Sequence, residues 1–129
     1  MSDRQRIPPL SSFEAEIGFT RALRVENRIL VSGTVGVAPD GNIPPEAGAQ
    51  ADLAFAEIIQ HIETLGGTAR DVVRVRMFVT DMADADAVSA AFSRALKATC
   101  PVGTLVAVTA LYDPRWKVEI EAEAMISAE

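Results

Sequence analysis

The chain has 129 residues, 49% hydrophobic and 23% charged, which is enough for one domain with a substantial core. Twelve basic against eighteen acidic residues give a formal charge of −6, which repels phosphate backbones and argues against nucleic acid as a partner. A single cysteine, Cys100, excludes an internal disulfide and any multi-cysteine metal cluster.

The opening, MSDRQRIPPL, lacks the apolar stretch of a secretion signal. The longest uncharged run, Ala98 to Tyr112, is broken by Pro101 and Gly103 and is too short to span a bilayer. A cytoplasmic protein with no membrane partner is therefore the expectation. Residues 1–16, polar and bearing Pro8 and Pro9, read as an irregular N-terminal segment of the single domain that residues 1–129 form.

Phe19 to Val25 and Arg28 to Ser32 read as two strands joined at Glu26-Asn27. Gly33 to Pro44 is a predicted loop containing Asp40-Gly41. A helix starts near Pro45, because proline suits a first turn where its missing N–H is not needed. Ala51, Ala54, Ile58, Ile62 and Leu65 recur every three or four residues and form its buried stripe, and Gly66-Gly67 stops it.

Val72 to Thr80 reads as a third strand, with Val73, Val75, Met77 and Val79 on one face and Arg74 and Arg76 on the other. A second helix opens at Asp84, buries Val88, Ala91, Phe92 and Ala95, and ends before Pro101. Two more strands, near 104–111 and 117–126, form a terminal pair turned at Asp113-Pro114. In the last of them Val118, Ile120, Ala122, Ala124 and Ile126 alternate with Lys117, Glu119, Glu121 and Glu123, so one face is buried. Two helices cover one face of such a sheet, yet Leu105, Val106, Ala107 and Val108 are apolar on both. The other face needs a cover, and self-association into a homo-oligomer supplies it.

Glu119, Glu121 and Glu123 lie about 6.5–7 Å apart along one strand face. Carboxylates so spaced suit general acid and base work, or they form a solvated face partly neutralised by Arg74 and Arg76. Cys100 reads as a small buried cysteine before a proline rather than a nucleophile, and His61 as a helix-edge residue that cannot build a zinc site alone. Arg21 shares a strand face with Phe19, Leu23 and Val25, and either binds an anion or snorkels at the sheet edge. Gly33, Gly36 and Gly41 make no phosphate loop. Gly103 beside Thr104 either lets a ligand approach the backbone or turns the chain into a strand. Tyr112 and Trp116 are candidate rim or interface anchors.

Taken in order, IGFTRALRV with ILVSGTVG, AQADLAFAEIIQHIETLGG, DVVRVRMFVTDM and VEIEAEA resemble successive segments of the Rid family (YjgF/RidA-like, often labelled endoribonuclease L-PSP), from about residue 17 to 126. The resemblance implies an α+β, bacillus-type chorismate-mutase-like fold: a sheet with two helices on one face, assembled as a homotrimer with ligand clefts between subunits. It also implies hydrolysis of reactive imines and enamines without metal or cofactor. In the family an arginine clamps the substrate carboxylate, a glutamate handles the water, and a tyrosine and a Ser-Gly turn complete the pocket.

On this chain the turn falls on Ser32-Gly33 and the catalytic glutamate on Glu119, while the arginine position holds Gly103 and the tyrosine position Phe19. Arg21 and Arg24 are candidates for a relocated cation. The expected ligand-binding set is Phe19, Arg21, Ser32, Gly33, Phe92, Gly103 and Thr104. The leading reading is a hydrolase acting on a small imine, enamine or related carbonyl compound. A non-catalytic metabolite-binding protein is the alternative, and a ribonuclease is third, opposed by the acidic charge.

Overall fold

The computed structural model describes residues 4–127. The strands are β1 (Arg4–Arg6), β2 (Ala22–Val25), β3 (Arg28–Thr34), β4 (Val72–Val79), β5 (Val102–Ala107) and β6 (Val118–Met125); the helices are α1 (Ser12–Ile17), α2 (Ala47–Thr64) and α3 (Ala85–Leu96). The strands form one sheet in the order β1-β2-β3-β6-β4-β5, antiparallel throughout except that β5 runs parallel to β4. The architecture is α+β, as expected.

The helical stripe predicted for α2 is buried throughout, and the helix ends where Gly66 turns at φ +98°. Helix α3 crosses it, with the Phe55 and Phe92 rings 6.0 Å apart edge to face. Between the two helices and the sheet lie Val118, Ile120, Ala122 and Ala124 of β6 and Val75, Met77 and Val79 of β4. The alternation read in the last strand is therefore real. Its glutamates face the open side, where Arg76 meets Glu121 at 2.9 Å and Glu123 at 3.5 Å.

Four expectations fail for identifiable reasons. The segment expected to be irregular carries β1 and α1. Ser11 caps α1 by accepting from the Phe13 N–H, the Glu14 carboxylate reaches back to the Leu10 N–H at 2.7 Å, and Gly18 closes the helix at φ +100°. The two terminal strands do not pair with each other, because β4 lies between them and α3 makes the crossover from β4 to parallel β5. A register shift between Val72 and Arg74 sends Val72 inward and leaves Val73 39% exposed. Cys100 is exposed at φ +57°, just past the end of α3, instead of lying in the core.

Strand β5 is the sheet edge, with Val102 and Val106 exposed. No helix among the described residues is long and apolar enough to cross a membrane.

Candidate functional site

A cavity of about 700 Å³ opens where α1, the start of β2, the end of β3 and the loop before β6 converge. Its floor is made by a defect in the sheet. Val31 pairs with Ala122 and Thr34 with Ile120, so β3 spends one more residue than β6 over this stretch. Ser32-Gly33 is thus a bulge within the strand rather than a turn after it, and bulges re-aim side chains at such places. The bulge is pinned by the Ser32 N–H donating to the Arg21 carbonyl at 2.9 Å and the Ser32 hydroxyl donating to the Thr20 carbonyl at 2.7 Å.

Gly33 permits a close approach. A Cβ there would overlap the Glu119 carboxylate, which lies flat against the strand. Glu119 is half-buried, and that desolvation pushes its carboxyl above the ordinary 4.5; the neighbouring Glu121 charge adds to the rise, while Arg21 opposes it. Burial thus disfavours its charged form, in a pocket that Arg21 and Glu57 also line.

Arg21 enters from the loop before β2. Its Nε lies 3.4 Å from the buried Glu14 carboxylate of α1, and its Cζ sits 5.9 Å from the Phe19 ring centre. The Ser11 hydroxyl and the Leu10 N–H hold the Glu14 carboxyl down to about 2, with a smaller contribution from Arg21. Phe13 of α1 packs edge to face on Phe19 at 5.9 Å and against Tyr112 at 5.6 Å, which builds an aromatic wall.

Trp116 completes the pocket from the loop before β6, and its Nε1–H is buried with no hydrogen-bond partner among the described residues. Two devices hold that loop. Asp113 clasps Arg115 at 2.8 Å, which lowers the Asp113 carboxyl to about 2. Gln50 of α2, fully buried, donates to the Pro44 and Arg115 carbonyls and accepts from the Lys117 N–H.

The family model described as Endoribonuclease L-PSP matches residues 10–126. The chain belongs to this family. A solved structure of Rv2704 from Mycobacterium tuberculosis, a member of the YjgF/YER057c/UK114 family, is similar at TM-score 0.88 and 34% identity, over 96% of this chain and 100% of that one. The 2-iminobutanoate/2-iminopropanoate deaminase of Escherichia coli K12 is 33% identical over 117 residues, 86% of this chain and 90% of the relative. An uncharacterized Streptomyces coelicolor protein, SCO2049, is 31% identical over 123 residues, 93% of this chain and 90% of the relative.

Within this L-PSP family chain the expected site residues divide into two groups. Phe19, Arg21, Ser32, Gly33 and Glu119 all line the one cavity. Phe92, Gly103 and Thr104 do not line it. Gly103 faces Phe92 instead, where an added Cβ would rest 3.7 Å from the ring, on the edge strand β5. Arg24 is also elsewhere: it donates to the Leu65 carbonyl at 2.8 Å and the Glu26 carbonyl at 2.7 Å, tying down the end of α2. His61 is buried against Glu57 at 3.1 Å rather than lying at a helix edge. Sequence reasoning missed Leu10, Ser11 and Phe13 as pocket residues, although Ser11-x-x-Glu14 is a helix-start signature that announces α1.

Proposed function

We propose that the protein is a Rid-type hydrolase of a small, reactive imine, enamine or related carbonyl compound, with Glu119 as the group that handles water. The observation that carries this reading is the Glu119 carboxyl itself: half-buried, raised by that burial from its ordinary value, and seated against Gly33 on the floor of a largely apolar cavity. A carboxylate whose charged form is disfavoured by burial is a stronger base than an exposed one and can take a proton from water as the oxygen attacks the imine carbon. It returns that proton to nitrogen to give a carbinolamine, then carries the hydroxyl proton to nitrogen as the C–N bond breaks, which leaves a carbonyl compound and ammonia. The imine deaminase named among the relatives supports this class of reaction.

In the same reading the protein is a cytoplasmic homotrimer and uses no metal or cofactor. The β5 edge of one copy, with Phe92, Gly103 and Thr104, would close the cavity of the next. Exposed Val102 and Val106 on that edge favour such a cover. Gly103 in the family's arginine position removes the usual carboxylate clamp, so an ordinary 2-imino acid would need another cation to hold it. That same glycine favours the second reading, a ligand-binding protein of the same fold without turnover. A ribonuclease reading is opposed by the charge of −6 and by the acidic face of β6.

The test is ammonia release from imines generated in place from a panel of amino acids, with wild type and Glu119→Gln compared. A wild-type acceleration that falls about a hundredfold in the variant supports hydrolysis. No acceleration on any panel member by the wild-type protein supports the binding reading instead.

A further inference from the structure

Arg21 has more donor capacity than the fold uses. Among the described residues its one ion pair is with Glu14 through Nε, and this approach makes no hydrogen bond, because Nε is buried without an acceptor. Glu14 is committed on its far side to the Leu10 N–H and the Ser11 hydroxyl. It therefore acts as a fixed negative brace behind the guanidinium. The side chain of Arg21 lines the cavity and is 22% exposed, so its terminal nitrogens are on the accessible side.

Trp116 lines the same cavity, and its buried Nε1–H has no hydrogen-bond partner among the described residues. Buried donors without acceptors are rare enough in folded proteins to call for a partner. Around both donors stand the flat apolar faces of Phe13, Phe19 and Tyr112. Two carboxylates also line the cavity: Glu57 is hydrogen-bonded to His61 at 3.1 Å, and Glu119 lies against Gly33 on the floor.

We propose that Arg21, braced by Glu14 of α1, is the anion receptor of this pocket, and that its ligand is a carboxylate carried on a flat apolar body. The inference rests on the reading of the cavity as a small-molecule site and adds which ligand group is held, and by what. A planar carboxylate accepts two parallel N–H bonds from a guanidinium, and its body stacks on the aromatic wall. Arg21, on the loop that enters β2, thus supplies a cation that position 103 on β5 lacks.

Phenylacetate and its neutral counterpart phenylacetamide distinguish this from apolar binding alone. Trp116 is the only tryptophan and lines the cavity, so its fluorescence reports occupancy, with calorimetry as the second readout. The wild type should bind the acid about ten- to a hundredfold more tightly than the amide, the effect of one charged hydrogen-bonded pair. Arg21→Lys keeps the charge without the fork and should lose part of that preference. Glu14→Gln combined with Arg21→Met removes both charges of the buried pair together and should abolish it, with melting curves checking that the variant is folded. Equal affinity of the wild type for acid and amide, no binding of the acid at millimolar concentration, or a preference that survives in the double variant would each overturn the proposal. Acid preference without any imine turnover would sink the hydrolase reading and leave this one standing. Turnover of neutral imines without acid preference would do the reverse.

Discussion

Replacing Gly33 with alanine separates the site from the fold. The added methyl would occupy the volume of the Glu119 carboxylate, so that side chain must swing off the strand. The backbone does not resist, because Gly33 is not among the glycines held at positive φ. Alanine there is therefore free of the left-handed penalty, and stability should change by less than about 1 kcal/mol. Catalysis should suffer far more. Moving a catalytic group by about 1 Å costs roughly a hundredfold in rate, or about 2.7 kcal/mol of transition-state stabilisation. A substrate-independent readout is the Glu119 carboxyl titration by NMR. In the wild type it should titrate above the ordinary 4.5, since burial disfavours its charge, and in Gly33→Ala it should fall back toward that value as the carboxyl gains water. An unchanged titration with unchanged kcat/KM would refute the reasoning. So would a variant that unfolds, because it would show Gly33 serving the fold rather than Glu119.

Two further predictions concern what holds the pocket walls. Glu14 titrates near 2 when folded against an ordinary 4.5, so its stabilising contribution is full above about pH 4.5 and lost as pH falls toward 2. Thermal melts of Glu14→Gln should accordingly lie below wild type at neutral pH and converge with it across that acid window; a gap that stays constant with pH would contradict the assignment. Gln50→Leu removes three hydrogen bonds and leaves the Lys117 N–H and two carbonyls without their partner. At about 1 kcal/mol each it should lose about 3 kcal/mol, and about 10 °C in Tm, with altered Trp116 emission.

Much of the fold around this site is legible one residue at a time, because the signals are local. The α2 stripe and the alternation of Val118 to Ala124 follow from helical and strand periodicity, and both lie where they were read. Glu119 was singled out from its two neighbours by family resemblance, and the neighbours prove to be answered by Arg74, Arg76 and Arg28 on the open face. What local pattern could not supply was strand order. The Asp113-Pro114 turn suggested a hairpin, but insertion of β4 between β5 and β6 depends on how α3 packs across the sheet, which no turn residue encodes.

The same holds for the two bulges. An extra residue in one strand is defined only against its partner, so sequence alternation places Val73 inward and makes Ser32-Gly33 a turn. The N-terminal segment was a different kind of miss. Its signal, Ser11-x-x-Glu14, was present in the sequence but was outweighed by nearby prolines. That miss concealed the partner of Arg21, and with it the reason an arginine sits on an otherwise apolar face.

The central claim is that the raised Glu119 carboxyl does the chemistry, and the pH dependence of kcat/KM tests it most directly. The wild type should show an inflection above the ordinary carboxylate value of 4.5, matching the Glu119 titration seen by NMR, and the residual rate of Glu119→Gln should lack it. An identical inflection in both proteins would assign the chemistry to another group.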